Sequence, residues 1–436
     1  MVVFAYLKRA TGRVFYGWWI VAASSVMFCI CGGAAFYGFT TFFNPIADEL
    51  DWNAAQISLA FSLRSVESGI MAPLIGWLID RLGARKIMVT GMFVTGVSLM
   101  LMSRVSSLFA FYAVFALMSI GTSCGLGLAP YVAAANWFSK RRTWAIAIMS
   151  AGYAFSGVVG PVLVRLIGLY GWRDTLIIAG ITMWVVGIPL SLVIRHRPEQ
   201  YGYLPDGEKQ PLSSSEAGGQ SKTTGPAARG ADYTARQALI TRTFWMLTLF
   251  GILTGLAQSA IIVHEMPYLT SIGISRQIAS WAILGITGAS LIGRLGFGWM
   301  GDKYDKRYLL AIGAVLQTAG VLVFARISGP GMLIPFILLY GPGYSAQIPI
   351  WPAIRADYFG LKHQGAIGGL QALAGTVSGI AAPVLAGWVF DVRGDYRPVW
   401  VAFAVATALG IPFAMLIRTR RQRAMLAEGV VPAPPH

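Results

Sequence analysis

Charge is scarce in this 436-residue chain: Asp, Glu, Lys and Arg together make up 12% of it. A soluble globular domain carries roughly 25% charged residues, so these side chains cannot coat a water-exposed surface of this size. A soluble enzyme, a secreted disulfide scaffold and a disordered protein are thereby excluded. Cysteine is nearly absent too. Cys29, Cys31 and Cys124 all lie in apolar runs, with neither metal-type spacing nor a disulfide framework, and read as small packing residues. Only four histidines occur. The polar segments hold no His/Glu metal motif, phosphate loop or nucleophile elbow, so neither enzyme chemistry nor a cofactor is expected. Acidic residues number 18 against 34 basic ones. A signal peptide is also missing: Lys8, Arg9 and Arg13 precede a long apolar run without a small-residue cleavage site. That start reads as a tail leading into a first spanning helix.

What the chain does have is apolar length, with 56% hydrophobic residues. A bilayer core about 30 Å thick needs roughly 20 apolar residues of helix. Twelve such runs can be marked: 17–43, 55–79, 87–103, 109–136, 144–170 and 174–194, then 244–270, 277–300, 308–326, 331–355, 364–390 and 397–418. The expected fold is an all-α integral membrane protein of about twelve transmembrane helices in two pseudo-symmetric six-helix bundles. The segments are an N-terminal tail (1–15), a first bundle (16–194), a linker (195–242), a second bundle (243–418) and a C-terminal tail (419–436). With Ser213, Ser214, Ser215, Gly218 and Gly219, the linker has the composition of a flexible tether.

Lys and Arg placement sets the orientation. With the N-terminus inside, the tails, the even-to-odd connections and the linker hold 25 of the 34 basic residues. The opposite side holds six, and Arg64, Arg165 and Arg294 remain within spans. The expected location is the cell (inner) membrane, crossed many times, with both termini cytoplasmic. The net charge of +16 is then a topology signal, and no nucleic-acid partner is implied.

The chain also repeats itself. After the second run it reads Gly76-Trp77-Leu78-Ile79-Asp80-Arg81-Leu82-Gly83-Ala84-Arg85-Lys86, and after the eighth Gly298-Trp299-Met300-Gly301-Asp302-Lys303-Tyr304-Asp305-Lys306-Arg307. Six spans separate the copies, as in a two-bundle transporter built by duplication. The first copy resembles, position for position, the Gly-x-Leu-x-Asp-Arg-x-Gly-x-Arg-Lys signature of the major facilitator superfamily. Physically it reads as a charged latch at the cytoplasmic rim, with Gly76, Asp80, Arg81, Gly83, Arg85 and Lys86 facing Gly298, Asp302, Lys303 and Arg307. Its aspartates are expected to accept charge-assisted bonds from nearby Arg and Lys. Tyr16-Gly17-Trp18-Trp19, Asn136-Trp137-Phe138-Ser139-Lys140-Arg141-Arg142, Gly160-Pro161 and Arg294 four residues before Gly298 resemble one branch of that superfamily, the monocarboxylate porters and oxalate–formate exchangers. The resemblance implies a secondary transporter working by alternating access. The substrate would be a small organic anion and the other partners a proton and the lipid bilayer, with the chain expected to act as a monomer.

A charge near the bilayer centre costs at least ~2.5–3.5 kcal/mol, so each one is a functional candidate. Arg294 lies eight residues before Asp302, about 12 Å deep at 1.5 Å per residue, and its own span carries no acid to neutralise it. A guanidinium takes a carboxylate through two parallel hydrogen bonds. In the family this arginine is the carboxylate anchor, and the resemblance implies the same role here. Arg64 and Glu67 are three apart on one helical face, either as a self-satisfied pair or as part of proton coupling. His264, just before Pro267, titrates near neutrality; the resemblance also places a substrate-facing histidine near it, so it reads as site, as proton-coupling group or as a packed rim residue. Glu265 points about 100° away and is expected at the water interface. Arg165 is expected to snorkel outward.

Polar side chains completing a candidate lining are Tyr37, Tyr131, Ser290, Tyr344, Gln347 and Gln371, each of which is also a plausible helix–helix contact. The oxalate–formate relatives use a second cation, a lysine in span 11, whereas 364–390 here contains neither Lys nor Arg. That departure favours a monocarboxylate over an exchanged dicarboxylate. A non-transporting membrane sensor is the third reading, weakened by the few residues beyond Arg423.

Overall fold

A computed structural model describes residues 14–52, 54–207 and 232–417. Apolar runs become helices because a backbone leaving water must satisfy its own N–H and C=O groups. Among the described residues the chain is helical, without strands. Nine stretches of the described residues are long and apolar enough to cross a membrane. One of them, Arg142–Val193, contains Gly171 at φ +78°, a left-handed turn that only glycine adopts without strain. It therefore divides into two spans, α5 (Arg142–Phe155, continuing through 159–170) and α6 (172–193).

The first half otherwise comprises α1 (Tyr16–Gly32), α2 (Ala54–Leu82), α3 (Ala84–Met102) and α4 (Leu108–Leu126, then Leu128–Trp137 past Gly127). The second half comprises α7 (Arg242–Ser271), α8 (Arg276–Gly301), α9 (Lys306–Ala325), α10 (Leu333–Ser345, then Gln347–Phe359), α11 (Gln364–Arg393) and α12 (Arg397–Met415). Several starts are capped as their sequences suggest. Ser107, Thr241, Ser275 and Asp305 accept from the backbone N–H of Ala110, Phe244, Ile278 and Arg307, satisfying donors the first helical turn leaves open.

Each half has its own apolar core, the first around Met27, Phe28, Phe111 and Trp137. The second half has two clusters, one around Tyr268, Phe336 and Trp400 and one around Phe244, Leu310 and Ile350. Large apolar side chains such as Phe109, Val185, Leu338 and Val405 stand exposed on the exterior, which fits a hydrocarbon solvent. The halves meet chiefly along α2 against α11 and α5 against α8.

The segment expected as a flexible linker is partly folded. His196 Nδ1 accepts from the Ala84 N–H at the start of α3, 3.3 Å away. Asn136 and Trp137 donate to the carbonyls of His196 and Arg195 at 2.9 and 2.8 Å. The Arg195 guanidinium lies between the rings of Tyr16 and Tyr201, 4.0 and 4.1 Å from their centres. Asp206 accepts from the Ser139 and Lys140 N–H groups of the α4–α5 connection. Asp232 likewise accepts from Leu361 in the α10–α11 connection, at 3.1 Å. Composition hides this docking because a few aromatic, amide and aspartate side chains carry it. The central residues, Ser214 among them, lie outside the described ones, as do residues 1–13 and 418–436.

Candidate functional site

The repeated loops meet the opposite halves. Asp80, at the end of α2, accepts from the N–H groups of Gly365 and Ala366, 2.8 and 2.7 Å away in the first turn of α11. Asp302, just past α8, accepts from Thr143 and Trp144 in the first turn of α5, at 2.8 and 3.0 Å. The partners expected from sequence were Arg and Lys; the structure supplies helix N-termini instead. A carboxylate there meets both unpaired N–H groups and the positive end of the helix dipole. For Asp302, burial pushes the carboxyl upward, against the lowering by these N–H bonds and by Lys306.

The basic residues of the latch point elsewhere. Arg81 and Lys303 lie over the rings of Trp77 and Trp299, at 5.2 and 3.8 Å. Arg307 pairs with Asp305 at 2.7 Å and donates to the Ile417 carbonyl. Arg85 and Lys86 are exposed. Gly83, at φ +87°, makes the turn between α2 and α3. An ion pair the sequence reading missed also joins the halves: Arg142 of α5 bonds Asp357 of α10, which takes Lys306 as well at 2.9 Å. Its signal was available as an acid in the α10 position opposite a basic α5 start.

Glycine allows the close approach. A Cβ on Gly76 would collide with the Gly365 carbonyl, one on Gly369 with that of Ala72, and one on Gly298 with Ala147. Deeper along α2 a Cβ on Gly69 would still strike Thr376 of α11, whereas one on Gly157, Gly160, Gly288, Gly375 or Gly379 would meet nothing within 4 Å. The halves are thus in close contact on the face bearing the 195–207 and 232–240 segments, hereafter the linker face.

Arg294 lies on α8 one turn before Gly298. It is 8% exposed and its Nη1 donates across the divide to the Ser150 carbonyl at 2.8 Å. Its Nε is buried without a partner, and no ion pair among the described residues involves it. Tyr131, on the second segment of α4, packs against Phe28, which stacks on Tyr153. Tyr344 ends a stacked column on α10 with Tyr340, ring centres 5.2 Å apart.

Other expected lining residues have different partners. The Gln347 amide donates to Gln317 and accepts from Thr254, both at 3.0 Å, in a chain that ties α7, α9 and α10 together. Gln371 accepts from Trp351 and Arg355 at 3.1 and 3.4 Å, inside the second half. The Ser290 hydroxyl donates to the Thr287 carbonyl of its own helix. His264 has both ring nitrogens engaged, with the Tyr396 hydroxyl at 3.2 Å and the Pro383 carbonyl at 2.9 Å, so it holds α7 to α11 and α12. Buried amides and imidazoles must find partners, and neighbouring helices are nearer than any ligand. The side chain of Tyr37 lies outside the described ones.

Of the intramembrane acids, Glu265 departs from expectation. Glu67 accepts from the Ser119 hydroxyl of α4, and its Oε1 is buried without a partner. Arg64 reaches the Ala35 carbonyl at 3.5 Å, and its charge acts on Glu67. Glu265, expected at the water interface, is 6% exposed and packed inside the second half. Arg165 is exposed, as snorkelling requires.

The family model described as Major Facilitator Superfamily matches residues 23–269 and 248–433. Among curated relatives, the MFS transporter asaE of Aspergillus flavus is 28% identical, over 84% of this chain and 78% of its own. Monocarboxylate transporter 12-B of Danio rerio is 24% identical, over 93% of this chain and 89% of its own. The oxalate:formate antiporter of Oxalobacter formigenes is 22% identical, over 92% and 93%. The solved structure of the transporter FucP in its outward conformation superposes with a TM-score of 0.67 at 16% identity, covering 92% of this chain and 98% of that one. Fold, duplicated loops and family model agree: this chain belongs to the Major Facilitator Superfamily, as a membrane-embedded, non-enzymatic carrier of small molecules.

Proposed function

We propose that the chain moves small organic anions, monocarboxylates first, by alternating access coupled to protons. It would work as a monomer in an inner membrane with the linker face cytoplasmic. The observation that carries this reading is Arg294: a buried guanidinium with an unpartnered Nε and, among the described residues, no ion pair. A desolvated cation of this kind is completed by an anionic ligand, and a carboxylate matches its planar fork. The excess of Lys and Arg on the linker face supports the orientation. Asp80, Asp302 and the Arg142–Asp357 pair close that face, and release of these contacts would open it while the other end shuts.

The antiporter likeness favours a second reading, exchange of dicarboxylates, which calls for another cation. Arg355 is buried in the second half, but it sits against Gly368 and within reach of the Asp80 charge, at the rim where α2 meets α11. One anionic group per substrate therefore fits better. Uptake of labelled lactate and labelled oxalate into proteoliposomes, with and without an imposed pH gradient, tests the proposal. Lactate accumulation driven by the gradient is expected; oxalate exchange indifferent to it would favour the second reading.

A further inference from the structure

Resting on the proton-coupled reading, we propose that Glu265 carries the proton: a neutral carboxylic acid while the linker face is closed, giving up its proton in the alternate conformation. The argument starts from what Glu265 lacks. Its Oε1 is buried and without a hydrogen-bond partner among the described residues, and none of their ion pairs includes it. An unpaired carboxylate in such a place costs far more than taking up a proton.

The titratable groups around Glu265 leave it no counter-ion. On its own helix, His264 is engaged by Tyr396 and the Pro383 carbonyl, and Tyr268 donates to the Phe324 carbonyl. Arg397, which opens α12, and Asp395 on the α11–α12 connection act on Tyr268. Across from Glu265 stands Tyr340 of α10, near enough to feel its charge, with Tyr344 stacked behind.

The same stretch of α10 leads to the anchor. Gly341 packs against Ala289 and Ser290 of α8, and Pro342 against Gly293, the residue before Arg294. Glu265 and Arg294 therefore bear on one segment from two sides. Pro267 interrupts α7 two residues beyond Glu265, and Pro342 interrupts α10. Each removes an interior hydrogen bond and permits bending at that point. Bending as the halves exchange would admit water to Glu265. The O–H bond then breaks, the proton passes to water on the newly open side, and the carboxylate is reprotonated from the other side in the next turnover.

Two measurements test this. Infrared difference spectra of the purified proteins, wild type minus Glu265→Gln at neutral pH, should contain the C=O stretch of a protonated carboxylic acid; its absence would overturn the assignment. In proteoliposomes with labelled lactate, Glu265→Gln mimics the protonated form. It should retain lactate–lactate exchange within a few fold and lose accumulation driven by a pH gradient, while Glu265→Asp regains part of it. Gradient-driven accumulation equal to wild type in Glu265→Gln would exclude Glu265 alone. Wild-type vesicles indifferent to the gradient would instead remove the proton-coupled reading on which it rests.

Discussion

Arg294 donates from Nη1 to the backbone carbonyl of Ser150, 2.8 Å away in the opposite half of the molecule. The side chain best suited to hold a carboxylate is thus also a tie between the bundles. An anion bridging Nε and a terminal nitrogen would compete with that tie or reinforce it, and a ligand shifts a conformational equilibrium only by such differential contact. Binding and switching therefore share one guanidinium.

Asp80 and Asp302 cap α11 and α5 from across the divide. A carboxylate at a helix N-terminus contributes about 0.3–1 kcal/mol, up to ~2 when partly buried. Asp80→Asn and Asp302→Asn should shift the equilibrium away from the closed linker face and slow transport. Substrate affinity should stay within a few fold. Transport kinetics against equilibrium binding would separate the two, and a defect confined to affinity would contradict the capping role.

Gly76 meets the Gly365 carbonyl with no room for a methyl group, whereas Gly379 faces open space. Gly76→Ala should hold α2 away from α11, and Gly379→Ala should behave as wild type. A cysteine in place of the buried Ala366, with Cys29, Cys31 and Cys124 replaced, would report closure by its thiol reactivity. Reactivity should rise in Gly76→Ala only. Equal protection in both variants would show that the helices do not close through this glycine.

His196 is held neutral, since its Nδ1 accepts from Ala84, and burial lowers its pKa from 6.5 to about 4. The unfolded segment binds this proton below pH 6.5 and the docked one does not, so docking weakens as pH falls from 6.5 toward 4. The loss amounts to roughly 3 kcal/mol at most, at 1.36 kcal/mol per pKa unit. Hydrogen exchange across 195–207 should speed up over that window. His196→Gln, which cannot take up the proton, should flatten the dependence. Exchange independent of pH in the wild type would exclude the switch.

If the linker face is cytoplasmic, a cysteine replacing Ser214 should resist an impermeant thiol reagent applied outside intact cells. Efficient labelling from outside would invert the proposed orientation.

Much of the fold was legible because membrane spans announce themselves by length, and the duplicated Gly-x₃-Asp loops by their spacing. The position of Arg294 followed by counting residues back from Asp302. Partners were harder to read. Gln347, Ser290 and His264 look like ligand groups in sequence, yet each binds a neighbouring helix or its own backbone, because a buried donor takes the first acceptor that packing brings to it. The aspartates of the loops suggested basic partners, since backbone N–H groups at helix starts leave no mark in composition. Glu265 was assigned to water because it points about 100° away from His264, and which helices pack over that face of α7 was not available from the chain alone.

Calorimetric titration of short carboxylates into purified, folded Arg294→Ala and Arg294→Lys is the most direct measurement of the anchor. Loss of a desolvated charge-assisted contact should weaken binding by about 2–5 kcal/mol in Arg294→Ala, and Arg294→Lys should be impaired as well because it lacks the planar fork. Carboxylate affinity unchanged from wild type in folded Arg294→Ala would contradict the organic-anion reading and leave the superfamily fold standing without it.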